Sequence, residues 1–295
     1  MQLRYLDPNV LAGISSLELV ARTVVDGFVA GLHRSPDFGF SQEFAEYRSY
    51  SPGDDLRYVD WNVFARTERC YLKRYRGETN TQLTVMLDAS ASMAFGSGKI
   101  NKLEYARFLA ASLCFLASHQ RDAAGLIVFD DEVRNYVQPS SRQGQLARVM
   151  HGLEKASPGA RTDYAKPFAH FLNFLHRRGM AAVISDFYAP PSEIIRSVEP
   201  LARRGTEVIL FHLLDPEELA PSLRRPALLV DMETEQGIEV SPEYARREYR
   251  ERIDAHTAAL RQASQEAGID YVLIPTDKPL DAALREYLAV RQRRL

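Results

Sequence analysis

Apolar residues fall at three- and four-residue spacing over Leu17, Val20, Ala21, Val24, Phe28 and Leu32, the period of a helix with one buried face. From Phe38 to Gly77 that period dissolves into Gly, Pro, aromatics and paired charges, which predicts short strands and turns. Beyond residue 80, compact apolar runs alternate with amphipathic ones. Strands are expected at Leu83–Leu87, Gly125–Phe129 with a partner at Val133–Val137, Ala181–Ile184, Glu207–Leu214 and Tyr271–Ile274. Helices are expected at Leu103–Ala117, Gln145–Leu153, Tyr164–His176, Ser192–Ala202 and Pro242–Ala267, with a last one from Leu280. A hairpin, Ala227–Asp231 into Ile238–Val240, is expected to turn at Gln236-Gly237. This alternation predicts an α/β fold: a doubly wound, mostly parallel, Rossmann-like sheet covered on both faces, with a small N-terminal α+β extension. The change of pattern sets the expected domains at 1–79 and 80–295.

Composition narrows the class. The 295 residues are 45% hydrophobic and 26% charged, with 37 basic against 39 acidic side chains and a net charge of -2. That balance is globular, and it argues against nucleic-acid binding through bulk positive charge. The longest apolar stretch, Phe108 to Ala117, is half of the roughly 20 residues a membrane span needs, so no direct insertion is expected. Asp7 and Pro8 stand where a signal peptide needs an apolar run, which makes a cytoplasmic location the expectation. Cys70 and Cys114 have no His or Cys at ligand spacing and read as reduced thiols.

The chemistry concentrates at Asp88-Ala89-Ser90-Ala91-Ser92, where the first strand of the α/β unit turns toward a helix. One carboxylate and two hydroxyls at alternate positions suit a hard divalent cation, and Mg²⁺ in particular takes one or two carboxylates and keeps waters. The other reading is a helix N-cap made by Asp88 or Ser90, with the remaining hydroxyls idle. Thr162 lies in the loop before the Tyr164 helix, and Asp186 follows the strand Ala181–Ile184. In an open α/β sheet ligands gather beyond the carboxyl ends of the strands where strand order reverses. If Leu83–Leu87 and Ala181–Ile184 are neighbours there, Asp88, Ser90, Ser92, Thr162 and Asp186 share one crevice.

This set resembles the metal-ion-dependent adhesion site of von Willebrand factor A domains, and the resemblance covers residues 80 to about 292. It implies that Asp88, Ser90 and Ser92 hold Mg²⁺, with Mn²⁺ or Ca²⁺ as other candidates. Thr162 would bind directly or through water, and Asp186 through water. A carboxylate from a protein partner would fill the free position, with no covalent chemistry. Many such domains carry two glycines before the Thr, whereas Ala160-Arg161 stand here. Arg161 then either clamps a partner's acid with its two-donor fork or points to solvent or to Asp163.

The segment before residue 80 carries its own signature: Gly31-x-His33-x-Ser35-Pro36, Gly39-x-Ser41-x-Glu43-Phe44, Tyr47-Arg48, then Tyr50-Ser51-Pro52-Gly53-Asp54-Asp55-x-Arg57-x-x-Asp60-Trp61-x-x-x-Ala65-Arg66. It resembles domain-of-unknown-function family fifty-eight, whose members join this segment to a von Willebrand factor A-like domain and are typically encoded beside MoxR-type AAA+ ATPases. Such an ATPase, or its client, is the implied partner. Many members carry N-terminal membrane helices, and none is expected in this sequence. Physically, Ser51-Pro52-Gly53-Asp54 is a turn, and Asp54 or Asp55 is placed to cap a short helix through Asp60-Trp61. Arg48, Asp54, Asp55, Arg57, Asp60 and Arg66 read as an ion-pair network with Trp61 as its apolar anchor. His33, Glu43, Arg48, Arg57 and Arg66 read alternatively as a docking face.

Two decoys are set aside. Gly96-Ser97-Gly98-Lys99 lacks the first Gly and the Ser or Thr of a P-loop, and Asp88-x-Ser90 lacks the second carboxylate of aspartate phosphatases. The expected protein is a non-enzymatic, Mg²⁺-dependent protein-binding adaptor. A metal-dependent hydrolase or phosphatase in the same crevice, and a metal-free interaction scaffold, are the alternatives.

Overall fold

The computed structural model describes residues 7–32, 44–50, 59–67, 69–75, 81–159, 161–174, 179–230, 232 and 237–292. They form two compact units, Ala30–Thr79 with Leu295, and Met1–Val29 with Asn80–Arg294. Helices α1 (Pro8–Leu11) and most of α2 (Leu17–Leu32) therefore group with the larger unit. In α2 the stripe Val20, Ala21, Val24, Val25 and Phe28 is buried, as its period predicts.

The smaller unit holds an antiparallel pair, β1 (Phe44–Ser49) and β2 (Tyr71–Tyr75), around helix α3 (Trp61–Thr67). That helix is capped by Asp60, whose carboxylate accepts from Val63 N at 3.3 Å. Asp54 and Asp55, expected as caps, lie outside the described residues. Trp61 does not serve as a buried anchor: it is 57% exposed and meets Phe64 edge to face.

The larger unit continues through β3 (Gln82–Asp88), α4 (Lys102–His119), β4 (Ala123–Phe129), β5 (Val133–Ser140), α5 (Gln145–Glu154), α6 (Ala165–Phe174), β6 (Met180–Ser185), α7 (Pro191–Arg203) and β7 (Glu207–Leu214). A short α8 (Pro216–Leu219), a hairpin of β8 (Ala227–Val230) and β9 (Gly237–Val240), and a one-turn α9 (Pro242–Tyr244) follow. A π-turn over Ala245–Tyr249 leads into α10 (Arg250–Glu266), then β10 (Asp270–Pro275) and α11 (Asp281–Gln292). The expected long helix from Pro242 is thus one course carrying a π-turn.

The sheet order is β10-β7-β6-β3-β4-β5, all parallel except the edge strand β5, which runs antiparallel to β4. Strand β6 is buried along its whole length, the mark of a parallel strand covered on both faces. Met86, Phe129, Val183 and Leu210 pack on one face against Phe168, Ile194, Val198 and Leu260, brought by α6, α7 and α10. Helices α4 and α11 cover the other face. Asn101 starts α4 by accepting from Glu104 N at 2.8 Å, and the helix is buried nearly all round, as its apolar sequence requires. The β8–β9 hairpin is a separate two-stranded sheet with Leu228, Val230 and Ile238 exposed. Strand order reverses between β3 and β6, which pair from Leu83↔Met180 to Leu87↔Ile184. Their carboxyl ends define the crevice.

Candidate metal centre

Strand β3 ends at Asp88, whose side chain is fully buried. Its Oδ1 accepts from Ser90 N at 2.9 Å, a local turn that bends the chain across the sheet edge. Its Oδ2 accepts from Ser185 Oγ at 2.6 Å and Thr162 Oγ1 at 3.4 Å. Ser90 precedes a 3₁₀ turn, Ala91–Ala94, yet its side chain caps nothing. Instead its Oγ lies 3.1 Å from Ser92 Oγ. The N-cap reading of these hydroxyls is therefore not realised, and both remain at the crevice.

Thr162 arrives on the loop between α5 and α6. That loop is hung on the strand ends by Gly159 N donating to Ala89 O at 2.7 Å and Asp163 N to Asp130 O at 3.2 Å. Space at 159 suits glycine: a Cβ there would meet Asp130 Oδ2 at 2.0 Å, so the buried Asp130 side chain would have to shift to admit one. Arg161 is exposed, while Asp163 caps Ala165 N at 2.8 Å and pairs with Lys166 at 3.8 Å. Arg66 is exposed on the last turn of α3. Arg48 lies on β1 opposite Leu72, its side chain outside the described residues together with all of His33, Glu43 and Arg57.

Asp186, buried next to Ser185, is held by a group the sequence reading did not single out. Lys102, the first residue of α4, is fully buried and donates from Nζ to Asp186 Oδ2 at 2.7 Å and to Glu218 Oε1 at 2.6 Å. Its ammonium lies 4.9 Å from the Tyr188 ring centre and 5.8 Å from that of Phe95. Glu218 is fixed by the capping box of α8, its Oε2 accepting from Asp215 N at 2.8 Å. Asp215 in turn accepts from Ser97 N at 2.9 Å and Ser97 Oγ at 2.5 Å. The Gly96–Lys99 loop is thereby tied to the end of β7. Ser185 also went unnoticed, although strand alternation aims it to the same side as Asp88, its lateral neighbour. The signal for Lys102 was a lysine at the positive end of a helix, where the dipole disfavours a cation.

The charges are unequal. Burial, and then the charge of Asp186, push the Asp88 carboxyl up to about 7, against the opposing hydrogen bonds from Ser185 and Ser90. Burial pulls the Lys102 ammonium down, but Asp186 and Glu218 together outweigh it and hold it above the ordinary lysine value. Among the described residues, no Lys or Arg nitrogen pairs with Asp88. Near the same strand ends His212 is fully buried, its Nδ1 2.7 Å from Tyr271 OH, and burial followed by the neighbouring His256 lowers it to about 3.

Mg²⁺ takes oxygen ligands at about 2.0–2.1 Å in an octahedron, whose edges are then about 3 Å. The 3.1 Å between Ser90 Oγ and Ser92 Oγ and the 3.4 Å between Thr162 Oγ1 and Asp88 Oδ2 are close to that edge. The donor set fits a hard cation bound through one carboxylate and hydroxyls. It is not a cluster of three or more His, Cys, Asp or Glu side chains, and no such cluster occurs among the described residues.

A family model described as "Protein of unknown function DUF58" matches residues 46–263. An uncharacterized protein of Mycobacterium tuberculosis is 29% identical over 291 residues, 97% of this chain and 91% of the relative, and one of Mycobacterium bovis matches equally. Among solved structures, the conserved hypothetical protein BatB from Bacteroides thetaiotaomicron aligns with TM-score 0.51 at 17% identity, over 72% of this chain and 99% of BatB. An aerotolerance-related membrane protein from Bacteroides fragilis aligns with TM-score 0.52 at 15% identity, again over 72% and 99%. At these identities the likeness is one of fold. No described helix of this chain is long and apolar enough to cross a membrane.

Proposed function

The chain belongs to the family of unknown function DUF58, and from that premise and the crevice geometry we propose that it is a non-enzymatic, Mg²⁺-dependent protein-binding adaptor. One observation carries the reading: Asp88 is a fully buried carboxylate, ringed by hydroxyls, with no cationic side chain paired to it among the described residues. An unpaired buried charge is costly, and a bound cation offsets it. Asp88, Ser90, Ser92 and Thr162 would hold the ion, and Ser185 would fix the Asp88 carboxylate in place. Bound there, the ion supplies positive charge to attract a carboxylate from a partner. Mn²⁺, which accepts the same octahedron of oxygens, and Ca²⁺, which takes more ligands at longer distances, are the other candidates.

The non-enzymatic part of the reading rests on how the crevice's reactive groups are spent. Ser185 donates to a carboxylate, Lys102 is buried between two acids, His212 faces Tyr271, and His256 Nε2 lies 2.8 Å from Phe187 O. The hydroxyls that do meet a carboxylate, Ser185 and Thr162, both donate to Asp88, the group this reading assigns to the ion and not to a general base. The partner class we assign is a protein presenting an acid. The family resemblance supplies a MoxR-type AAA+ ATPase, or its client, as the candidate.

The test is a thermal melt of wild type and Asp88→Ala in EDTA, Mg²⁺ and Mn²⁺. Ligand at about 100 times its dissociation constant adds roughly 2.7 kcal/mol, a shift of several degrees for a domain of this size. A Mg²⁺ shift present in wild type and absent from Asp88→Ala is expected. An equal shift in both proteins, or none in wild type up to millimolar ion, would sink the metal reading.

A further inference from the structure

Two carboxylates meet at the ends of β3 and β6, and one of them, Asp186, is paired with a buried lysine. Lys102 Nζ touches Asp186 and Glu218 at 2.7 and 2.6 Å, and Glu218 is itself locked by the Asp215 backbone. The ammonium is shut from solvent, with the Tyr188 and Phe95 rings close by. Three separate elements therefore hold it, the end of β6, α8 and the loop after Ser92. A lysine at the first position of a helix works against the helix dipole, so its position is set by these acids and not by α4.

We propose that Lys102 is a positioning residue that withholds Asp186 from the cation and so sets the crevice to a single available carboxylate, which determines both ion selectivity and the demand for a partner's acid. The proposal rests on the cation reading of Asp88. A divalent ion facing one carboxylate keeps one positive charge, and a partner's carboxylate neutralises it. Were Asp186 free, the ion would be neutralised internally and the partner's acid would add little. Freeing Asp186, and with it Glu218, would also favour Ca²⁺, which takes 6–8 oxygens and accepts several carboxylates, over Mg²⁺.

The experiment is calorimetric titration of the full chain with MgCl₂ and with CaCl₂, using wild type, Asp88→Ala, Lys102→Met and the double variant Lys102→Met/Asp186→Asn, with circular dichroism as the check of folding. Lys102→Met is expected to bind Ca²⁺ about tenfold tighter than wild type, about 1.4 kcal/mol, with a smaller gain for Mg²⁺. The double variant removes one charge of each sign, so its net charge is that of wild type. Its affinities are expected to return to within about threefold of wild type. A folded Lys102→Met with unchanged affinities overturns the proposal, as does a double variant that loses binding the way Asp88→Ala does. Should Lys102→Met fail to fold because two acids are left buried without their cation, the double variant, which leaves only Glu218 without it, carries the test: Mg²⁺ affinity within about threefold of wild type is the expected result, and loss of binding overturns the proposal. Wild type that binds neither ion removes the cation reading, and this inference falls with it unless Lys102→Met gains a site that Asp186→Asn abolishes.

Discussion

Asp88 and His212 lie near the same strand ends with opposite proton preferences, and each predicts its own pH dependence. His212 falls to about 3 in the fold against an ordinary value of 6.5. Its contribution to stability is full above pH 6.5 and is lost as pH falls toward 3, at up to about 1.4 kcal/mol per pH unit. Urea melts at pH 7 and pH 5 should therefore show wild type losing about 2 kcal/mol that His212→Gln does not lose. Asp88 runs the other way: raised to about 7, its contribution is present below pH 3.8 and is lost as pH rises through 7. Since a cation must displace that proton, the Mg²⁺-induced rise in Tm should be clearly larger at pH 8 than at pH 6. Melts at the two pH values check this, and Asp88→Asn should abolish the difference. At this scale the carboxylate and hydroxyl positions were legible, because Asp88, Ser90 and Ser92 share five consecutive positions and Asp186 directly follows a strand. Lys102 was not. Lysine in a sequence declares a solvated charge by default, and its burial depends on partners 84 and 116 positions away.

At the scale of elements, the α5–α6 loop delivers Thr162 without being part of any helix or strand, so its path depends on backbone contacts. Gly159 is the pivot, and Gly159→Val would drive a side chain into Asp130. The variant is expected to keep the sheet intact and yet to weaken Mg²⁺ binding about tenfold or more through displacement of Thr162. Calorimetry alongside circular dichroism separates that outcome from simple unfolding. Ser185→Ala acts on the strand side of the same site. It removes a 2.6 Å hydrogen bond to a buried carboxylate, a loss of roughly 1–3 kcal/mol measurable by urea melts. The elements themselves were largely legible because α2 repeats its buried stripe with the helix period, while α4 and β7 are continuous apolar runs told apart by length, 18 residues against 8. The π-turn at Ala245–Tyr249 was not, since its residues carry the same helical composition as the turns on either side.

For the larger unit as a whole, the decisive long-range tie is the last helix. Arg291 Nε on α11 donates to Asp122 Oδ2 at 2.8 Å, and Asp122 Oδ1 accepts from Thr81 N at 3.2 Å, just ahead of β3. Asp122 is buried, so Arg291→Ala leaves its charge without the guanidinium and should cost about 2–4 kcal/mol, lowering Tm by several degrees in a calorimetric scan. Neither end of this tie carries a motif, and its partners stand 169 positions apart. One carboxylate thus receives both the entry of the β3-to-α11 segment and its exit. The segment therefore closes on itself at a single side chain, and the first and last elements of the sheet unit are fastened together by Asp122 as well as by the chain that runs between them.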